Sequence, residues 1–208
     1  MNRVSFLNKA LLMLFHPVDA FDIIKRERGK FRPLPVLILY VLAVAVNYLY
    51  IFMVHFPLSG KQPIDANIAL EFAIIFVPLL TWSLASYLIT SIINGESKFT
   101  ELLTGYAWCL VPYIIFTPIL GIISNVLSFE QAAAYFFFKY VSLLWVLLLV
   151  FLALKYMNDY TVLQAAGVAF LSVLMMVVIW AVIFLLASLT LQFFSFFGDV
   201  YTEIIYKL

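Results

Sequence analysis

The chain has 208 residues, of which 66% are hydrophobic and only 11% are charged. Soluble domains are about a quarter charged, so this composition excludes an ordinary water-soluble fold. The formal net charge of +1 gives no general attraction to nucleic acid. The composition therefore predicts a protein that lies largely within a membrane and has no nucleic-acid partner.

Five long apolar runs divide most of the chain. A helix needs about 20 mostly apolar residues to cross the bilayer core, and barrel strands are about 10 residues long and alternate in polarity. Because backbone groups in lipid must bond internally, the runs predict helices. We predict an all-α polytopic membrane protein with five transmembrane helices in a domain over 34–208. The approximate spans are 34–56, 68–93, 105–127, 137–154 and 168–197.

Before the first span, residues 1–33 form an amphipathic basic segment. Apolar side chains recur at helical spacing over 3–15, which predicts a helix lying in the membrane interface. His16 and Pro17 should break this helix, because proline disfavours the α region for the residue before it and suits the first turn of a new helix. A second short helix is expected over 17–28.

The positive charges predict the orientation in the membrane. Seven of the twelve Lys and Arg precede the first span, and Lys98 and Lys155 fall on the same side if the spans alternate. The positive-inside rule then predicts a cytoplasmic N-terminus and, with five spans, a C-terminus outside. The run from Lys25 to Arg32 is either a topology determinant alone or also a site for anionic lipid headgroups or a protein.

Two strongly polar side chains fall in or near the spans. Asn47, in the first span, is expected to bond to a neighbouring helix, with a substrate-binding role as the alternative. Glu71 is expected in the first turn of the second span, above the hydrocarbon, because an acid is favoured at a helix N-terminus. The alternative is an acid inside the membrane.

No known catalytic pattern occurs in the chain. His16 and His55 fall on opposite sides of the predicted membrane, so they cannot share a metal ion or a proton. The chain has no GxSxG turn, HExxH pair or glycine-rich phosphate loop. We therefore expect neither an enzyme nor a bound cofactor or metal.

A short polar stretch followed by an apolar helix resembles the Yip family, the Ypt-interacting-protein domain of five-span membrane proteins. The residues that carry the resemblance are Gly95 to Phe99, Leu102, Leu103, Gly105, Tyr106 and Pro112, with His16, Pro17, Phe21, Ile24 and Lys25 in the N-terminal segment. The N-terminal residues resemble the entry segment of prokaryotic members, whereas the Asp-Leu-x-Gly-Pro motif of eukaryotic members has no match between Met1 and Leu34. The resemblance implies a prokaryotic plasma membrane, a cytoplasmic N-terminus and a role in protein binding, as in the binding of prenylated Rab GTPases by other members.

The resulting hypothesis is a non-enzymatic membrane adaptor or scaffold with a cytoplasmic surface from 16–32, 94–106 and 155–162. A membrane or membrane-associated protein is the expected partner, and a homo-oligomer is left open. The predicted partner-binding residues are Lys25, Arg26, Arg28, Glu96, Lys98, Glu101 and Tyr106, and the predicted structural motif is Gly95, Gly105, Tyr106 and Pro112. Pro112 and Pro118 predict that the third span is bent or partly irregular. The alternative function is transport, as a small-molecule or lipid permease or an accessory subunit of an importer, suggested by this span, Asn47 and Glu71.

Overall fold

The computed structural model describes residues 5–27, 33–55, 58 and 63–206, and the regular structure in these ranges is helical. These ranges contain eight α-helices, and 3₁₀ turns lie at Pro63–Asp65 and Phe129–Gln131. The helices are α1 (Phe6–Phe15), α2 (Pro17–Arg26), α3 (Pro33–Met53), α4 (Ile68–Ile92), α5 (Phe99–Trp108), α6 (Val111–Ser124), α7 (Ala132–Met157) and α8 (Val162–Tyr206). The predicted all-α class is confirmed.

Five helical segments are long and apolar enough to cross a membrane, which confirms the five predicted spans. They are Pro33–Met53, Ile68–Ile92, Phe99–Ser124, Ala132–Met157 and Val162–Phe197. The third begins at Phe99 rather than near 105, because the polar residues Thr100 and Glu101 are accommodated in the first turn of α5. The protein is therefore an integral multi-pass membrane protein.

The third span is broken into two helices, as its prolines predict. Cys109 and Leu110 form a turn between α5 and α6. Pro112 follows at the second position of α6, where its missing N–H costs no helical hydrogen bond. The break therefore precedes Pro112, whereas Pro118 lies inside the continuous helix α6.

The N-terminal segment forms the two predicted short helices, and His16 separates them. Their location in the membrane interface stays a prediction, but the two helices also pack against the spans. Met13 and Phe21 are fully buried, in one core with Leu102 and Leu149 of the spans. Helix α1 packs on α2 and α6, and α2 packs on α7. The hairpin of α1 and α2 buries its apolar faces against protein because each helix is too short to form a core alone.

The ends of several helices meet at one end of the bundle. The end of α2, the loop between α4 and α5 and the turn between α7 and α8 lie together there. We call this surface the basal face and define it as residues 25–27, 93–98 and 158–161. Helix α8 packs mainly on α4 and continues as one helix to Tyr206, beyond the predicted end of the fifth span at 197.

Candidate functional site

The loop of the basal face is fixed to the end of α7. The backbone amide of Ser97 donates to Asn158 Oδ1 at 3.2 Å, and the Ser97 hydroxyl donates to the Met157 carbonyl at 2.7 Å. On the other side, the backbone amide of Gly95 donates to the Thr90 carbonyl at 2.7 Å. Ser97 and Asn158 are both buried. These hydrogen bonds tie the loop to α4 and α7, so the loop is a rigid part of the bundle.

Gly95 occupies a position that has no room for a side chain. A Cβ atom there would lie 2.6 Å from the Tyr160 hydroxyl, 2.8 Å from Asn158 Oδ1 and 2.8 Å from Thr90 Cβ. The Tyr160 hydroxyl is itself buried, with no hydrogen-bond partner among the described residues. This burial raises the pKa of Tyr160 above its usual value. The predicted structural role of Gly95 thus has a physical basis in close backbone approach.

Two ion pairs hold the N-terminal hairpin in place. Lys25, in the last turn of α2, pairs with Asp159 of the turn after α7. Lys9 of α1 donates to both carboxylate oxygens of Glu27 at 2.7 Å. The Lys9 side chain is 9% exposed, whereas the Asp159 side chain is 59% exposed. The pair of Lys9 and Glu27 therefore contributes more to stability, since exposed ion pairs are weakened by water and salt.

The predicted partner-binding residues are not equally available to a partner. Arg26, Glu96 and Lys98 are exposed on the basal face. Lys25 is partly buried and engaged with Asp159. Arg28 lies outside the described residues.

Glu101 has a structural role at the start of α5. Its Oε2 accepts a hydrogen bond from the backbone amide of Lys98 at 3.2 Å. Lys98 is the residue that precedes the first turn, so Glu101 satisfies a backbone donor that the helix leaves unbonded. Substitution of Glu101 would consequently disturb the helix start as well as any surface contact.

Tyr106 cannot contact a partner, and this corrects the sequence prediction. Its side chain is fully buried, and its hydroxyl donates to the Ser86 hydroxyl at 3.0 Å. Its ring contacts Trp82 edge to face, with the centroids 6.3 Å apart. The prediction failed because residues 99–106 belong to helix α5 rather than to an exposed loop. Tyr106 instead joins α5 to α4.

Gly105 and Pro112 also serve packing of the third span. A Cβ atom at Gly105 would lie 3.6 Å from Met157 Cγ and 3.8 Å from Ala153 Cβ, so α5 and α7 approach closely there. Pro112 is buried just after the turn between α5 and α6. Both residues therefore fit the structural role that was predicted for them.

A polar network links three spans in the half of the bundle opposite the basal face. Asn47 Nδ2 of α3 donates to Glu71 Oε2 of α4 at 2.7 Å. The Tyr113 hydroxyl of α6 donates to Asn47 Oδ1, also at 2.7 Å. Both ends of the Asn47 amide are therefore used, which confirms the prediction that Asn47 bonds to a neighbouring helix.

Glu71 lies in the first turn of α4, as predicted, but it is not solvated there. It is only 2% exposed, and it accepts the hydrogen bond from Asn47 inside the bundle. Glu71 is therefore shielded by protein, and its depth relative to the hydrocarbon stays a prediction. Tyr113 was not predicted as a member of this network, because nothing in its neighbours in sequence distinguishes it from other tyrosines in the spans.

No catalytic or metal-binding constellation is found in the part of the chain that the structure describes. Within it, no group of three or more His, Cys, Asp or Glu side chains is arranged to hold a metal ion. Cys109 is buried at the break of the third span, and its thiol donates to the Gly105 carbonyl at 3.2 Å.

Comparison with known protein families gives one match, which covers most of the chain. The Yip1 domain matches residues 11–184. The chain belongs to the Yip1 domain family. Neither the curated proteins nor the solved structures give a match. The matched region contains the whole of α2 to α7 and the first half of α8, so the basal face lies inside the Yip1 domain.

The residues that carry the resemblance to this family have mostly structural roles in this Yip1-domain protein. Gly95 allows the approach of Tyr160, and Tyr106 joins α5 to α4. Phe21 is fully buried in the N-terminal hairpin. The motif therefore includes buried residues that fix the backbone around the basal face and, in Glu96 and Lys98, two exposed charges on that face.

Proposed function

We propose that this Yip1-domain protein is a non-enzymatic membrane adaptor that binds another protein through its basal face. The observation that carries the proposal is the fixed loop 93–98, whose hydrogen bonds to α4 and α7 hold Glu96 and Lys98 outward. A loop that is already ordered loses little conformational entropy on binding. Loops placed on a rigid scaffold are the usual sites of binding residues.

The charge distribution supports a cytoplasmic location for this face. If the five spans alternate in direction, nine of the twelve Lys and Arg fall on the side of the membrane that carries the basal face. They are the seven up to Arg32, Lys98 and Lys155. The positive-inside rule orients such an end toward the cytoplasm, with the C-terminus outside. We place the protein in a prokaryotic plasma membrane, because His16, Pro17 and Phe21 resemble the entry segment of prokaryotic members.

The mixture of charges favours a protein partner over a purely lipid one. Arg26 and Lys98 are exposed beside the acidic Glu96 and Asp159. Lys25 is already paired with Asp159, which reduces its attraction for anionic headgroups. Mixed charges at an interface chiefly select the partner and speed its association. We expect a membrane-associated or membrane-embedded protein with complementary charges, and headgroup contact as a secondary role of this end.

The test is capture of partners from native membranes in mild detergent, followed by mass spectrometry. The informative variant is the double charge reversal Glu96→Lys with Lys98→Glu, since both residues are exposed. We expect the wild type to retain a partner in stoichiometric amount and the reversed variant to retain at least tenfold less.

Glu130→Lys is the matched control for this experiment. Glu130 is exposed at the opposite end of the bundle, between α6 and α7, so its reversal should leave capture unchanged. Recovery of no stoichiometric protein, or equal recovery by the wild type and the doubly reversed variant, would contradict the adaptor.

Transport is the second candidate, and the network of Asn47, Glu71 and Tyr113 favours it. Ionisable groups inside the spans of membrane proteins commonly mark pathways for ions or substrates. Here a buried acid is bonded to the amide of another span. Flux of a solute or lipid in proteoliposomes that is abolished by Asn47→Ala or Glu71→Gln would support transport, and absence of flux from the wild type would count against it.

A further inference from the structure

A groove of about 600 Å³ opens on the side of the bundle between α6 and α7. Its walls are aliphatic and aromatic, with Phe116 and Leu120 from α6 facing Tyr135, Phe138 and Trp145 from α7. Ligand sites in proteins commonly have volumes of about 300–1,000 Å³ and mostly apolar walls. Because both helices are spans, this groove faces the lipid of the membrane.

The depth of the groove corresponds to one leaflet of the bilayer. Its α7 lining runs from Ala134, near the start of the helix, to Trp145, at the middle. The eleven steps from Ala134 to Trp145 rise about 16 Å at 1.5 Å per residue. The hydrocarbon core is about 30 Å thick, so the groove covers about half of it. This half belongs to the leaflet opposite the basal face.

The deep end of the groove is closed by the N-terminal hairpin. Leu14 and Phe15, the last residues of α1, form part of its lining together with Trp145. The groove is therefore closed at mid-membrane and opens toward the membrane surface opposite the basal face. This shape suits a chain that enters from one leaflet.

A cation lies at the outer part of the same helix. Lys139 is one turn after Tyr135 and adjacent to Phe138, both of which line the groove. Its ammonium is 5.5 Å from the centroid of the Tyr50 ring, and the residue is exposed. A lysine in the outer turns of a span extends its stem along apolar surface and places its charge among the headgroups.

We propose that the groove binds one acyl chain of a glycerophospholipid whose phosphate pairs with Lys139. A transmembrane helix does not suit the groove, because a span crosses both leaflets whereas the groove ends at mid-membrane against Leu14 and Phe15. A single acyl chain fits within one leaflet and gains packing contacts with the aromatic walls, and the Lys139 ammonium supplies a positive charge for the phosphate. The site is separate from the basal face and from the network around Asn47.

The test measures phospholipid retained by the purified full-length protein after reconstitution and extraction. The vesicles contain phosphatidylethanolamine and phosphatidylglycerol in equal amounts, and retained phospholipid per chain is counted by mass spectrometry after detergent washing. We expect the wild type to retain about one molecule per chain. Val141→Trp, which fills the groove from α7, should retain at least fivefold less.

Leu144→Trp is the matched control, because Leu144 is exposed on α7 but does not line the groove. It should retain phospholipid as the wild type does. If Val141→Trp does not fold, as judged by its elution from a sizing column, Ile119→Trp fills the groove from α6 instead. Equal retention by the filling variant and Leu144→Trp, or no retention by the wild type, would overturn the proposal.

The role of Lys139 is tested with a second pair of variants. Lys139→Gln should lower retention at least threefold, whereas Lys155→Gln should not change it. Lys155 is the fitting control because it lies over a tyrosine ring at the other end of the same helix, 4.4 Å from the Tyr156 centroid. Equal retention by the two variants would show that Lys139 does not hold the phosphate.

Discussion

Gly95 and Tyr160 approach each other so closely that a methyl group on Gly95 would lie 2.6 Å from the tyrosine hydroxyl. This contact joins the loop after α4 to the turn after α7, which are far apart in the chain. The contact between Gly95 and Tyr160 and the hydrogen bonds between Ser97 and the end of α7 together fix the shape of the basal face.

Gly95→Ala should lower the free energy of unfolding by about 1–3 kcal/mol, the usual cost of inserting a methyl group into packed surroundings. The measurement is denaturant unfolding in detergent micelles. Gly167→Ala is the control, because no atom lies within 4 Å of its added Cβ in α8. There alanine should be neutral or stabilising by up to about 1 kcal/mol. Equal effects of the two substitutions would show that the approach of Tyr160 is not a constraint.

Asn47→Ala should destabilise the bundle by about 1–3 kcal/mol, because it removes one hydrogen bond of Glu71 and one of Tyr113. Tyr113→Phe removes one hydrogen bond and should cost less, about 1 kcal/mol. A double-mutant cycle of Asn47→Ala with Glu71→Ala should give a coupling energy of about 0.6 kcal/mol, the average for hydrogen bonds between membrane helices, and at most about 1.7 kcal/mol. Additive effects would contradict a direct bond between α3 and α4.

Phe21→Ala should destabilise the protein by about 3–5 kcal/mol, since this fully buried ring lies in the core shared with the spans. Val18→Ala, in the same helix, should cost less than about 1 kcal/mol because Val18 is partly exposed. Thermal unfolding of both variants in detergent provides the comparison. A small effect of Phe21→Ala, equal to that of Val18→Ala, would mean that the hairpin is not part of the core.

The two ion pairs of the hairpin should differ in strength. Glu27→Gln should cost more than Asp159→Asn, because it leaves the buried Lys9 without its carboxylate, whereas Asp159 is largely exposed. Raising the salt concentration should reduce the contribution of the Lys25–Asp159 pair to the free energy of unfolding more than that of the Lys9–Glu27 pair. Both statements are checked by measuring the unfolding free energy of the two variants at low and high salt. A larger loss in Asp159→Asn than in Glu27→Gln would show that the pair made by Lys9 is not the stronger one.

The sequence predicted the local structure correctly where a single proline or one long apolar run determines it. The break at His16 and Pro17 and the irregular third span with Pro112 were both predicted, because proline acts on its own backbone. The start of the third span was placed too late, since the first turn of α5 is polar and resembles a loop in sequence.

The candidate site was predicted only in part. Glu96, Lys98 and Arg26 are exposed as expected, but Tyr106 is buried and Glu101 caps a helix. Whether a tyrosine in the last turn of α5 faces a partner or the core depends on the neighbouring helix. In this protein Ser86 of α4 supplies the bonding partner.

The sequence by itself determined membrane insertion, the five spans and the break before the third span's second half, because bilayer thickness and proline geometry act over short stretches of chain. Only the tertiary structure decided that α1 and α2 join the core, that Glu71 meets Asn47, and that Gly95 lies against Tyr160. Each of these contacts joins helices whose relative rotation and depth are set by packing. In a chain that is apolar on nearly every helix face, periodicity does not reveal which face is turned inward.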